Sequence, residues 1–534
     1  MMNVLLQDPL EWLYPDRLTS LKNPMKTTID VARGGIVSIA MVLTGLKKGK
    51  EITLASGEPK TVFSEMIDVA VQFNTGEQGF TVCNWSPKSK YITRDAPYRV
   101  FDALKVIDGG FTPRKTAAAL YLQIPVARNA KPGTYTVTLS VSDGRTVKEV
   151  SFKYKVHAVT LPAVGVKSRY LTNWMSTKNF AEYGKPVKKW SKQYWDRLAE
   201  QAAMMYHARQ NTFIVWLSDF FEYENGVFTL NTARLKRYIR TFTDAGLYWI
   251  EGGHFGGRVD GQWNAEDFAV MMSQNSIKSI EGNRDIAQIG RQLYAFIQKN
   301  GYADRWIQHV TDEPILCNAD SYRIFVGLVR KYMPGLPLMD AMSDPEIAGA
   351  PNIWCPQIQV FEQKKDLFDA VREQGDRIWS YTCCLPGGAY LNRLLDGELT
   401  RPLLLGWGNA FYDIEGFLHW GWNQYMPYKV SATDRQNPYE ETAPLEWNGK
   451  TERTVPAGDT HIVYPGEDGS VLSSMRLESQ REGMEDWELL EMLKKKDLKK
   501  AHAIIKKVFR AFNDYNADPA EIRKARKSLL EALS

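Results

Sequence analysis

Two adjacent carboxylates, Asp312 and Glu313, are the residues of this 534-residue chain whose types and spacing point most directly to chemistry. They follow the apolar run 306–311 and precede Pro314. Like charges on neighbouring side chains repel each other, and the repulsion raises the pKa of one of them. Such a pair suits acid–base chemistry, in which one carboxyl group donates a proton and the other stays ionised. From the dipeptide alone, the alternative is that Asp312 caps a turn begun by Pro314 and that Glu313 faces water.

The adjacency of the two carboxylates restricts the reactions that they can serve. Most glycoside hydrolases use two carboxyl groups on either side of the scissile bond, ~5 Å apart in retaining enzymes and ~6.5–9.5 Å apart in inverting ones. Neighbouring residues are poorly placed to flank a sugar in that way. They fit substrate assistance better, in which the substrate's own 2-acetamido carbonyl is the nucleophile, one carboxylate orients the amide N–H, and the other protonates the leaving oxygen.

Aromatic side chains, which make up 12% of the chain, are concentrated downstream of this pair. Indole rings offer a flat apolar face to the C–H groups of a pyranose, together with an N–H donor. Any single ring could equally pack in the core. The candidates for a sugar-binding wall are Trp379, Tyr381, Trp407, Trp420 and Trp422, and Trp174, which ends the first predicted barrel strand, is a further candidate substrate-binding residue.

Polar side chains near predicted strand ends are candidate substrate ligands as well. His254 lies in the Gly-rich segment 251–257, where glycines let the backbone approach a sugar closely. His309, three residues before Asp312, could bind a sugar hydroxyl or be a satisfied core residue. His309, Asp312 and Glu313 lack the His-Glu-x-x-His spacing of a helical zinc site, so we expect no metal, and we expect no cofactor. The adjacent Cys383 and Cys384 are interpreted as small apolar fillers beside a pocket.

The first 160 or so residues are predicted to form strands. Segments 134–141 and 150–156 alternate apolar and polar residues around the turn 142–145, which contains Asp-Gly. Period-two patterns joined by such a turn indicate an antiparallel hairpin with one buried face. With no long helical pattern in this part, we predict an N-terminal β-sandwich over residues 1–162.

From residue 163 onward, short apolar strands alternate with amphipathic helices, one of which is predicted to be capped by Asp320. The predicted strands cover residues 169–174, 211–217, 247–252, 306–311, 336–340, 352–355, 377–382 and 417–422. Eight strands alternating with helices indicate a (β/α)8 TIM barrel over residues 163–534, with reactive residues at the carboxyl ends of the strands. C-terminal closing helices are predicted over the apolar stripes 489–493 and 498–512 and after the cap Asp518. The predicted fold class is therefore multidomain, a β domain followed by an α/β domain.

Composition excludes several classes of protein. The 67 basic and 62 acidic residues leave a net charge of +5 and are interspersed, so we expect no nucleic-acid partner. Five cysteines with irregular spacing indicate neither a disulfide framework nor a zinc ribbon. The most apolar stretch, 34–46, is shorter than the ~20 residues of a membrane span. No signal peptide is visible. The localisation is therefore left open, secreted or periplasmic if a signal peptide was removed and cytoplasmic otherwise, and so is the oligomeric state.

The motifs of the chain resemble those of family 123 glycoside hydrolases, which are exo-acting β-N-acetylgalactosaminidases. The resemblance covers nearly the whole chain, and its strength is that the motifs occur in the same order. The segments that carry it are Pro132-Gly133-x-Tyr135, Asp312-Glu313-Pro314, Trp379-x-Tyr381-Thr382-Cys383-Cys384-x-Pro386, Gly416-Phe417-Leu418-x-Trp420-Gly421 followed by Asn423, and Arg476-Leu477-Glu478-x-x-Arg481-Glu482-Gly483-Met484-Glu485-Asp486-Trp487-Glu488.

This resemblance implies a sandwich followed by a barrel that removes terminal β-linked GalNAc from a glycan or glycolipid, with retention through an oxazoline. Asp312 would orient the acetamido group, Glu313 would be the general acid and base, and Tyr381 would hydrogen-bond the acetamido group. Trp420, Trp422 and Trp407 would wall the pocket, and Asn423 would be a substrate ligand. The alternatives are the same mechanism on another 2-acetamido sugar such as β-GlcNAc, or a carbohydrate-binding protein without activity.

Overall fold

A computed structural model describes residues 2–22, 28–81, 87–347, 349–425, 436–443 and 455–534. The strands of the first 160 residues are β1 Asn3–Gln7, β2 Ile29–Arg33, β3 Ile36–Thr44, β4 Ile52–Ser56, β5 Val62–Val71, β6 Tyr98–Ile107, β7 Gly110–Phe111, β8 Ala117–Pro125, β9 Gly133–Ser142 and β10 Val147–Thr160. The next are β11 Tyr170–Asn173, β12 Thr212–Val215, β13 Phe221–Glu224, β14 Val227–Leu230, β15 Trp249–Gly252, β16 Gly256–Arg258, β17 Phe268–Val270, β18 Trp306–Gln308, β19 Met339–Ala341, β20 Ile353–Cys355, β21 Arg377–Ile378, β22 Ser380–Thr382 and β23 Gly416–His419. The last are β24 Tyr464–Pro465, β25 Val471–Ser474, β26 Phe509–Ala511 and β27 Asp514–Tyr515.

Two sheets pack face to face in the N-terminal region, which confirms that this region is β-rich. One has the order β1-β3-β8-β5-β6-β25-β24 and the other the order β2-β10-β9-β4-β7. Side chains from both sheets, such as Met41 and Leu122 from the first and Leu139 and Val156 from the second, are buried in one cluster. The predicted hairpin is the antiparallel pair β9–β10. Strands β24 and β25 come from the far end of the chain, and this addition to the N-terminal sheet was not predicted.

Parallel strands occupy the middle of the chain and match the eight predicted runs, with the seventh run split into β21 and β22. Their sheets have the orders β11-β23-β22, β12-β15-β18 and β19-β20-β21, and single parallel bridges join Gln308 to Leu338 and Gln357 to Tyr381. In the described part of the chain, these pairings are three short parallel sheets rather than one continuous eight-stranded ladder. They nevertheless align the carboxyl ends of the strands on one side.

Helices connect these strands and close the chain. They are α1 Asn179–Glu182, α2 Lys192–His207, α3 Thr232–Asp244, α4 Ile280–Lys299, α5 Ala319–Tyr332, α6 Ile358–Gln363, α7 Lys365–Glu373, α8 Arg401–Phe411, α9 Met475–Lys496, α10 Leu498–Ile505 and α11 Pro519–Leu533. Asp518 caps α11 as predicted, through its side chain and the Ala520 N–H. Helices α8 and α9 pack so closely that a Cβ atom at Gly406 would collide with the carbonyl oxygen of Gly483.

Two helix predictions are wrong. Helix α5 begins at Ala319 with Asn318 as its N-cap, so Asp320 lies inside the first turn. The predicted helix over 498–512 ends at Ile505, and the remaining residues turn into the hairpin β26–β27. A hairpin suits this segment because β-branched and aromatic residues favour strands, and the Asn-Asp sequence after Phe512 favours a turn. In the described part of the chain, every helix is too short or too polar to be a candidate membrane span.

Candidate active site

The carboxyl ends of the parallel strands open into a cavity of about 620 Å³, and both Asp312 and Glu313 line it. Its other walls come from the ends of neighbouring strands. Trp174 follows β11, Trp216 follows β12, His254 follows β15, Tyr381 lies in β22 and Trp420 follows β23. The cavity therefore brings together side chains that are far apart in the sequence, at the end of the strands where α/β enzymes bind their substrates.

A larger groove of about 1090 Å³ runs along β5, β6 and β8, and two of the carboxylates that line it are paired with cations. Asp68 forms ion pairs with Arg99 and Lys115, and Glu478 forms one with Arg481. Paired carboxylates are poor acids and bases, because their charged form is stabilised. The strand-end cavity, whose two adjacent carboxylates form no ion pair with a described residue, is therefore a better candidate for the active site than this larger groove.

The backbone at Glu313 is strained and is held from outside. Glu313 has a φ of 42°, in the left-handed region that non-glycine residues rarely adopt. Arg258, at the end of β16, donates one N–H to the Asp312 carbonyl at 3.1 Å and another to the Glu313 carbonyl. The guanidinium group also lies over the Trp263 ring, 4.1 Å from its centroid. Arg258 thus fixes the turn that presents the two carboxylates, and it does so through their main chain.

Glu313 has the electrostatics of a proton donor. Burial and the neighbouring Asp312 charge raise the pKa of Glu313 to about 7, although the Tyr381 hydroxyl donates a hydrogen bond to its Oε1 and Arg258 is nearby. At neutral pH, a carboxyl group with this pKa is protonated in a large fraction of the protein molecules. It can give up that proton to a leaving oxygen.

Asp312 opens to the cavity and has different neighbours. Loss of solvation raises the pKa of Asp312, but the positive charges of Arg258 and His309 act in the opposite direction. Arg258 also lowers the pKa of Glu313, but Glu313 lacks the effect of His309 and has the Asp312 anion beside it, which raises its pKa. The pair therefore shares its proton unequally, with Glu313 the favoured carrier.

Tryptophan rings form one wall of the cavity. The Trp174 and Trp216 rings meet edge to face with centroids 5.6 Å apart. The indole N–H of Trp174 donates to Glu251 at 2.8 Å, and that of Trp216 donates to the Met175 carbonyl at 2.7 Å. With both N–H groups engaged inside the protein, these rings offer mainly apolar surface to a ligand.

Several predicted substrate ligands lie outside the cavity. Trp407 is fully buried in α8 and donates to Asp486, while Trp422 is fully buried and donates to Gln201. The expectation that these two rings wall the pocket is therefore corrected. For Trp422 the physical reason is that β23 ends at His419, so the strand alternation that would place it beside Trp420 does not continue.

Asn423 and His309 are also buried and have protein partners. Asn423 accepts a hydrogen bond from the Ser176 N–H at 2.7 Å and donates to the Ser176 carbonyl at 3.2 Å. It holds the loop after β11 and lies outside the cavity lining. His309 has no exposed surface, and its two ring nitrogens face the carboxylates of Glu251 and Asp340. The expectation that these two residues bind the sugar is corrected, because their polar atoms are already paired.

Trp216 is a cavity residue that sequence reasoning missed. It lies one residue beyond β12, within the predicted strand 211–217. The strand-end rule that selected Trp174 would have selected it too. Cys383 and Cys384 line the cavity as free thiols, beside a pocket as predicted.

His254, His309 and Asp340 place donor atoms within 4.8 Å of one another and so could be considered a metal site. Both ring nitrogens of His309 already face carboxylates at 2.6 and 3.1 Å. A metal ion would have to replace those hydrogen bonds. The donor set is better described as a hydrogen-bonded charge cluster.

Comparisons with known proteins bear on the family of the chain. Residues 174–493 match the family model described as glycoside hydrolase 123, catalytic domain. A solved structure of a family 123 glycoside hydrolase from Clostridium perfringens, studied for glycolipid glycan hydrolysis, is 15% identical over 100% of this chain and 97% of its own, with a TM-score of 0.70. Xylanase 10B from Clostridium thermocellum is 9% identical over 83% of this chain and 90% of its own, with a TM-score of 0.33. No curated protein matches the chain significantly.

Proposed function

The chain belongs to glycoside hydrolase family 123, and we propose that it is a retaining exo-β-N-acetylgalactosaminidase. Its substrate would be a glycan or glycolipid with a terminal, non-reducing β-linked GalNAc. The sugar would occupy the strand-end cavity, with Tyr381, Trp174 and Trp420 around it and His254 near its hydroxyl groups. We also propose that the three parallel sheets are parts of one distorted (β/α)8 barrel over residues 163–534, preceded by a sandwich domain over residues 1–162.

One observation carries the proposal: the two unpaired carboxylates of the cavity are neighbours in the chain. Asp219 is the one further carboxylate that lines the cavity in the described part of the molecule. Its oxygens already bind the Thr177 hydroxyl at 2.6 Å and Lys189 at 2.5 Å. Among the residues that the structure describes, no second free carboxylate therefore faces Asp312 and Glu313 across the space for a sugar, as an ordinary glycosidase pair requires. This favours a nucleophile supplied by the substrate.

In the first step, the acetamido carbonyl oxygen attacks C1 as the glycosidic C–O bond breaks. Glu313, protonated, gives its proton to the leaving oxygen. Asp312, ionised, accepts the amide N–H and stabilises the positive charge that develops on the forming oxazoline ring. Tyr381 is placed beside Glu313 and can hydrogen-bond the acetamido group as the proton leaves.

In the second step, water attacks C1 from the face that the leaving group vacated. Glu313, now a carboxylate, takes a proton from that water, and the oxazoline C–O bond breaks to restore the acetamido group. Two inversions at C1 give net retention of configuration. Each residue returns to its starting protonation state.

The test is hydrolysis of a panel of aryl β-glycosides by the unmodified protein and by Asp312→Asn. We expect turnover of aryl β-GalNAc, and a loss of about 10²–10³-fold in kcat in the variant, because an amide cannot stabilise the positive oxazoline. Turnover of aryl β-GlcNAc alone would assign the same mechanism to the other sugar. Glycan binding without turnover of any member of the panel would instead indicate a carbohydrate-binding protein.

A further inference from the structure

We propose that His309, held between Glu251 and Asp340, is a positively charged positioning residue that fixes Trp174 and the Asp312–Glu313 turn. Its effect on the reaction rate rests on the proposed function, whereas its charge and contacts do not. The assignment replaces the expectation that His309 contacts the sugar.

The geometry of the three side chains favours a doubly protonated ring. His309 Nε2 lies 2.6 Å from Glu251 Oε1, and Nδ1 lies 3.1 Å from Asp340 Oδ1. All three side chains have no exposed surface. An ionised carboxylate only accepts hydrogen bonds, so each ring nitrogen must donate one, and a neutral imidazole has a single donor. The buried group is therefore an imidazolium between two anions.

Glu251 connects this cation to the cavity wall. The Oε1 atom that accepts from His309 also accepts the indole N–H of Trp174 at 2.8 Å, and Oε2 accepts the Thr172 hydroxyl at 2.6 Å. The Trp174 ring stands edge-on to the His309 ring, with centroids 5.5 Å apart and an interplanar angle of 89°. A displacement of His309 would therefore move the ring that faces the ligand.

Asp340 connects the same cation to the catalytic turn. Its Oδ1 accepts the backbone N–H groups of Val310 at 3.0 Å and of Thr311 at 3.3 Å, and its Oδ2 accepts the Tyr322 hydroxyl at 2.7 Å. Val310 and Thr311 are the two residues immediately before Asp312. Arg258 holds the other side of the turn through the Asp312 and Glu313 carbonyls. The strained turn is thus fixed at both ends, and His309 neutralises the carboxylate at one of them.

The charge of His309 also acts on Asp312. Burial alone would lower the pKa of His309, but the two bonded carboxylates outweigh it and raise the pKa to about 9. His254, whose ring stands edge-on to that of His309 with centroids 5.2 Å apart, has its pKa lowered to about 4 by burial and by His309, so it is neutral. The positive charge of His309 lowers the pKa of Asp312. The titratable groups around His309 are Glu251, His254, Arg258, Asp312, Glu313, Tyr322, Asp340 and Cys355.

The first experiment compares His309→Gln with the matched control His157→Gln on aryl β-GalNAc. His157 is a second buried histidine, bonded to Asp30 at 2.6 Å in the N-terminal sheets and remote from the cavity. For His309→Gln, we expect kcat/KM to fall about 10²-fold, because a small misplacement of reacting groups is that costly. We also expect the acidic limb of its pH profile to move to higher pH, because Asp312 loses a cationic neighbour. The control should keep the rate and profile of the unmodified protein. An unchanged acidic limb in a folded His309→Gln would overturn the proposal.

The second experiment measures the ring directly and needs neither a substrate nor a stable variant. In protein labelled with ¹⁵N-histidine, His309 should give two protonated ring nitrogens that persist from pH 6 to pH 8. Two ring protons that persist in this range distinguish it from His254, His419 and His461, whose lowered pKa values keep their rings neutral. If every histidine gave the signals of a neutral ring with one N–H at pH 7, the proposal would be wrong. An imidazolium in a protein that hydrolyses no glycoside would support the charged clamp and contradict the proposed function.

Discussion

The carboxylates of helix α9 and those of the strand-end cavity have different neighbours, and the comparison shows how the fold separates structure from reactivity. Along α9, basic side chains lie directly against the acids. Arg481 contacts Glu478 at 2.8 Å and Glu485 at 2.6 Å, and Arg526 contacts Glu485 at 2.9 Å. In the cavity, Asp312 and Glu313 form no ion pair with a described residue. The charge of Arg258 acts on both side chains, yet its guanidinium group binds their backbone carbonyls.

The difference appears in proton affinity. Burial would raise the pKa of Glu478, but His207 and Arg481 lower it well below its usual range. Glu313, with an anion as its neighbour, has its pKa raised to about 7. A raised pKa alone does not mark a reactive group, because burial also raises the pKa of Asp486, which binds Trp407 outside the cavity, to about 8. The combination that identifies the site is a raised pKa, access to a cavity and the absence of a paired cation.

The largest expected effect comes from Glu313→Gln, which should reduce kcat on aryl β-GalNAc by about 10³-fold or more, because the amide cannot protonate the leaving oxygen. The matched control is Glu362→Gln. Glu362 also accepts a hydrogen bond from a tyrosine, Tyr412, but lies outside the cavity. It should keep full activity. Equal activity of the two variants would remove the distinction between the regions.

Substitutions in the α9 region should change the stability of the protein rather than the rate of hydrolysis. Arg481→Met removes the cation that Glu478 and Glu485 share, although Arg526 still contacts Glu485, and we expect the free energy of unfolding to fall by about 3–5 kcal/mol. Arg510→Met removes an exposed pair with Asp514 and should cost less than about 1 kcal/mol. Urea denaturation measures both changes. A comparable loss of stability in the two variants would contradict the structural role of the α9 pairs.

A smaller and more specific effect is expected for Tyr381→Phe. The protein with Tyr381 should lose activity as the pH rises through about 7, because Glu313 must carry a proton. The Tyr381 hydrogen bond lowers the pKa of Glu313, so its removal should move this basic limb to higher pH, with a loss of kcat of about 10-fold. Tyr412→Phe, which removes the other Tyr–Glu pair, should leave the profile unchanged. A basic limb that stays in place would show that Tyr381 does not act on Glu313.

The sequence predicts the local features of the site and fails where distant residues decide. The eight parallel runs and the position of Asp312 and Glu313 follow from short apolar patterns and strand-end rules. Which tryptophans face the cavity does not, because Trp420 and Trp422 look equivalent until the end of β23 is known. The inclusion of β25 in the N-terminal sheet joins segments more than 350 residues apart, and no local pattern encodes it.

His309 shows the same limit. Its partners Glu251 and Asp340 lie 58 and 31 residues away in the chain, on the neighbouring strands β15 and β19. A carboxylate inside the apolar run 247–252 was a usable signal, because buried acids need a partner. The sequence alone could not say that the partner was His309, since that depends on how the strands are arranged.

The most direct test of substrate assistance compares aryl β-GalNAc with the matched aryl β-galactoside, which lacks the 2-acetamido group, with and without a thiazoline mimic of the oxazoline. We predict that the protein hydrolyses the GalNAc substrate, leaves the galactoside intact and is inhibited by the thiazoline. Comparable turnover of both substrates, without inhibition, would show that the nucleophile does not come from the substrate and would contradict the roles assigned to Asp312 and Glu313.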